Sequence, residues 1–153
     1  MLRKSNKVST VITLVIAGLL LVALVVLAFR LPAVVESMIN VGNRGEITDG
    51  QRTLVLIDAY AMLAVAFLAV ITGFFLLREV FLERVFSQRV IRQISVISWC
   101  CFAEGLLFLL LGGFFPLAIG IAIVACFAGF CLRVVKNVIE EATRIKSEND
   151  FTI

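Results

Sequence analysis

The sequence predicts an all-α fold: an integral membrane four-helix bundle, one domain over residues 1–153, with both termini cytoplasmic. Composition is the first ground, since 61% of the 153 residues are apolar and 16% charged, against roughly 45–50% and about 25% in a soluble domain. A chain of this size has too much surface for its volume to hide that much apolar area from water, and its mean hydropathy of +1.09 agrees. The second ground is four apolar runs close to the about 20 residues that cross a hydrocarbon layer of roughly 30 Å as a helix. The third is a one-sided distribution of basic residues. A net charge of +3 argues against direct nucleic-acid binding, and the absence of histidine removes the commonest catalytic base and metal ligand.

The first run covers residues 8–29 and ends at Arg30 and Pro32. Arg3, Lys4 and Lys7 precede it as they would a secretory signal, but its apolar length exceeds the roughly 7–15 residues of a signal core. It reads as a retained anchor. Residues 31–53 then form the one sizeable external loop. Within it Pro32, Val34, Val35, Met38 and Ile39 suggest a short helix on the outer surface, ending near Gly42 before the turn-like Asn43-Arg44-Gly45. Such a loop either packs over the mouth of the bundle or captures a ligand.

The second run, residues 54–77, carries a single charge, Asp58, and apolar spacing through Arg78–Phe86 extends its helix beyond the membrane until Ser87 caps the next. The third, residues 94–111, carries Glu104. The fourth, residues 116–132, is uncharged and separated from the third by Gly112-Gly113-Phe114-Phe115 alone, which predicts a tight antiparallel hairpin opened by Pro116. Beyond it, residues 133–153 form a cytoplasmic amphipathic helix and tail. Val134, Val135, Val138, Ile139, Ala142 and Ile145 share a face there, available either to a partner or to the extension of helix two.

Eleven basic residues lie on the side of the N-terminus, the 78–92 segment and the tail, and three (Arg30, Arg44, Arg52) on the other. The positive side stays in the cytoplasm.

Asp58 and Glu104 are the candidate intramembrane functional residues. Measured from the outer ends of their runs, Asp58 lies about one turn deep and Glu104 about two. Carboxylates in lipid are costly and face a bundle interior. The two either share a proton or hold a cation with Arg52 or Arg30 as neutralising neighbour, or else Asp58 reaches the interface while a protonated Glu104 bonds a hydroxyl. Cys100, Cys101, Cys126 and Cys131 all fall in spans three and four and read as small hydrophobes; no cofactor or metal is expected. Ala69 with Gly73, Ala118 with Ala122, and Ala125 with Gly129 allow close helix packing and are compatible with a homo-oligomer without requiring one. No nucleophile elbow, HExxH, phosphate loop or nucleotide fingerprint occurs, so no enzyme activity is expected.

Two segments carry a resemblance. Phe86-Ser87-Gln88-Arg89-Val90-Ile91-Arg92-Gln93-Ile94 and the terminal Ile145-Lys146-Ser147-Glu148-Asn149-Asp150-Phe151-Thr152-Ile153 resemble those of a family of small four-helix bacterial membrane proteins of unknown function, with Phe151 where leucine is usual. The resemblance implies a multi-pass protein of the bacterial plasma membrane. Genes of that family often lie beside one for a small cytoplasmic helix-turn-helix regulator, which implies such a regulator as partner. The tail is physically unusual as well: Phe151 and Ile153 follow the polar Glu148-Asn149-Asp150 at the end of the chain, where termini ordinarily fray. Residues 145–153 thus form the candidate docking element, engaging either a partner or the protein's own cytoplasmic helices. The functional expectation is a non-enzymatic accessory or regulatory protein in the bilayer; the alternative is a small transporter or channel subunit using an intramembrane carboxylate.

Overall fold

The computed structural model describes residues 2–42, 48–82 and 86–150. Four helices account for nearly all of them: α1 (Leu2–Gly42), α2 (Asp49–Phe81), α3 (Gln88–Leu111) and α4 (Leu117–Asp150). Each is long and apolar enough to cross a membrane.

The largest departure from expectation is in α1. Residues 31–42 continue the first helix through Pro32 instead of forming a separate surface helix within a loop. Proline in a helix interior removes one backbone bond and costs about 3 kcal/mol. Here, however, Leu31, Val35 and Ile39, one turn apart, are all buried against Val55 and Leu63 of α2 and against Leu111, Phe115 and Ala118. Close packing of three such side chains against the neighbouring helices offsets the lost bond. The supposed loop is thereby reduced to the short connector before Asp49; its Asn43-Arg44-Gly45 turn lies outside the described residues. The backbone N–H of Thr48 donates to Gln51 Oε1 at 3.1 Å, a local bond that starts α2 well before its apolar run.

Ser87 caps α3 as expected, its Oγ accepting from the Val90 N–H at 3.4 Å. The α3–α4 turn is the anticipated tight hairpin, closed by Phe115 N–H donating to the Leu111 carbonyl at 2.9 Å. The two helices approach closely because small residues face one another. A Cβ on Gly105 would stand 2.5 Å from Cys126 Sγ and 3.3 Å from the Ala122 carbonyl. Ser98, fully buried, donates its hydroxyl to the Gly129 carbonyl at 2.9 Å, an interhelical bond made where lipid offers no substitute. Phe102 lies against Gly129 and edge-on to Phe130, and Arg133 sits 4.6 Å above the Trp99 ring. Ala118 and Ala122 are thus spent on an intramolecular seam.

By backbone approach, helices pack only with their neighbours in the chain: α1 on α2, α2 on α3, α3 on α4. Among the described residues α1 and α4 make no close backbone approach, so the expected bundle is an open row. Connectors alternate ends, which brings the start of α1, the α2–α3 connector and the end of α4 to one side. Apolar side chains cover the outside; Leu19 is 64% and Phe29 84% exposed, the surface that lipid would cover.

Candidate functional site

Asp58 stands nine residues after the start of α2, and Glu104 seven before the end of α3. At 1.5 Å per residue these are depths of about 13 and 10 Å from the same end of two antiparallel helices. The two carboxylates thus lie at similar depths on neighbouring helices. Asp58 Oδ2 and Glu104 Oε1 are both buried and have no hydrogen-bond partner among the described residues.

Arg52, an expected neutralising neighbour, is engaged elsewhere. Its guanidinium reaches Glu36 of α1 at 3.5 Å, tying α2 to α1 near their connector. No set of three or more His, Cys, Asp or Glu among the described residues is placed to hold a metal ion.

Glu104 borders an open groove of about 540 Å³ between α1, α2 and α3. Its walls are Leu, Val, Met, Ala and Phe side chains, with Glu104 as the one polar side chain lining it. A volume of this size falls within the range of about 300–1,000 Å³ that small-molecule sites occupy. Ionised Glu104 is an acceptor-only point in an apolar trough whose lining does not include Asp58, suited to holding a proton or a group that brings donors.

A third unsatisfied atom, Gln93 Oε1, belongs to the same side of α3 as Glu104: steps of four, three and four residues lead from Gln93 through Ile97 and Cys100 to Glu104. Sequence reasoning places Gln93 only within a motif. Its register with Glu104 is the signal that could have found it.

The expected docking element is helical where it is described. Residues 145–150 complete the last turns of α4, with Ile145 half exposed. Arg144 pairs with Glu141 at 2.6 Å and approaches Glu148 at 3.8 Å, while Lys136 pairs with Glu140 at 2.7 Å. Asn149 and Asp150 close the helix, and Phe151, Thr152 and Ile153 lie outside the described residues. The Lys146 ammonium lies 5.7 Å from the Phe86 ring, just ahead of α3. The apolar stripe Val134, Val135 and Val138 is exposed.

No curated protein and no solved structure matches the chain. A family model described as "Protein of unknown function (DUF2975)" matches residues 37–153, from the last turns of α1 through the end of the chain, taking in both segments that carry the resemblance. The chain belongs to the DUF2975 family of proteins of unknown function.

Proposed function

We propose that the protein is a non-enzymatic, multi-pass component of the bacterial plasma membrane that holds a cytoplasmic transcription regulator on the projecting part of α4. The observation that carries this reading is the length and surface of that helix. It continues 18 residues beyond Leu132, about 27 Å at 1.5 Å per residue, and leaves Val134, Val135, Val138 and Ile145 uncovered. Helix-in-groove recognition uses apolar anchors at such spacing. The excess of basic residues at this end supports a cytoplasmic location, and the helix-turn-helix regulator that the family resemblance implies supplies a partner of suitable kind.

The test is crosslinking in native membranes followed by mass spectrometry, comparing the full chain with one truncated after Arg133, which removes the exposed stripe. A small DNA-binding protein captured by the full chain and lost on truncation is the expected result. An unchanged or empty partner list overturns the reading. Transport is a second reading, favoured by the two unsatisfied carboxylates; it requires a cation flux in liposomes that Glu104→Gln abolishes.

A further inference from the structure

The groove between α1, α2 and α3 combines features that ordinary lipid contact does not require. It follows α1 from Leu24 to Met38, about 21 Å of helix, so it is long enough for an extended chain. Its lining is apolar along that length, yet it contains one carboxylate, placed about 10 Å inside the end of α3. Glu104 Oε1 has no donor, and neither has Oδ2 of the neighbouring Asp58, among the described residues. The basic side chain nearest in the sequence pattern, Arg52, is paired with Glu36. Leaving a buried acceptor unsatisfied is costly, and at Glu104 an occupant that brings N–H groups and positive charge offsets that cost.

From this charge complementarity we infer that the groove binds a long-chain primary amine, with its alkyl chain along α1 and α2 and its ammonium on Glu104. An acyl chain alone satisfies the walls but donates nothing to the carboxylates. A quaternary ammonium supplies charge without N–H donors. A primary ammonium supplies three donors and a charge at the one polar point of the trough. The inference is independent of partner docking on α4, because the two surfaces share no residue.

The test measures binding of radiolabelled dodecylamine to the full-length protein in phosphatidylcholine nanodiscs, with empty nanodiscs subtracted. Saturable binding is expected, weakened about tenfold or more by Glu104→Gln and lost when Ala66→Phe fills the groove at a wall position distant from the carboxylates. Dodecanol, with the same chain and no charge, is expected not to compete. Absence of saturable binding overturns the inference. So does displacement by dodecanol or by phosphatidylethanolamine as effective as by unlabelled amine, a comparison made on the unaltered protein. Undiminished binding in a helical Glu104→Gln variant has the same force.

Discussion

The buried hydroxyl of Ser98 and the missing side chain of Gly105 hold α3 and α4 together in different ways, and each predicts a distinct loss. Ser98→Ala removes the bond to the Gly129 carbonyl; a cost of about 0.6–1 kcal/mol is expected, read as a lower thermal midpoint by circular dichroism in detergent. Gly105→Leu drives a side chain into Cys126 and Ala122 and is expected to cost about 1–3 kcal/mol. Gly73→Leu is its control, since a Cβ there meets nothing within 4 Å. The exposed Arg52–Glu36 pair is worth less: a double-mutant cycle on it is expected to return about 0.2–1 kcal/mol. Asp58 and Glu104 are visible in the sequence because a charge in an apolar run stands out. Their comparable depth on neighbouring helices is legible there too; that the groove is lined by Glu104 and not by Asp58 is not, because the lining depends on how α1 packs against α2 and α3.

At the scale of elements, α1 shows what a helix can carry through a proline when its neighbours bury the next two turns. Replacing Pro32 by Ala restores a backbone donor and is expected to leave the helical content unchanged while raising stability by about 1–3 kcal/mol. A fall in stability would mean that the proline ring itself packs against α2. The helical hairpin, the Ser87 cap and the extension of α4 are legible in the sequence, since each rests on local signals of spacing and turn chemistry. Residues 31–42 mislead because Pro32 is also a local signal, and the burial that overrides it depends on residues of α2 and the α3–α4 turn, remote in the chain. For α4, Val138→Glu is expected to alter stability by no more than about 0.5 kcal/mol, because Val138 is exposed, yet to abolish capture of the regulator in the crosslinking assay.

For the whole molecule, the sequence specifies four helices without specifying their arrangement. Leu19 and Leu31 are equally apolar, but one is 64% and the other 6% exposed; in lipid the faces turned to protein and to acyl chains have the same chemistry. The groove is for that reason beyond reach of the pattern. Sidedness, in contrast, follows from charge. Reporter fusions are expected to place both termini in the cytoplasm, and a reporter inserted within residues 43–47 on the opposite side; the reverse result would remove the regulator from reach of α4.

The open row also bears on how the protein is made. Because each helix lies along the one synthesised immediately before it, every helix entering the bilayer finds its main upstream partner already inserted. Only the last turns of α1 complete their packing later, when Leu111, Phe115 and Ala118 arrive with the hairpin. No long loop must close before a helix gains its neighbour, so loop-closure entropy is small at each step. Assembly can then advance in step with translation, with α1 as the first template and α4 as the last addition.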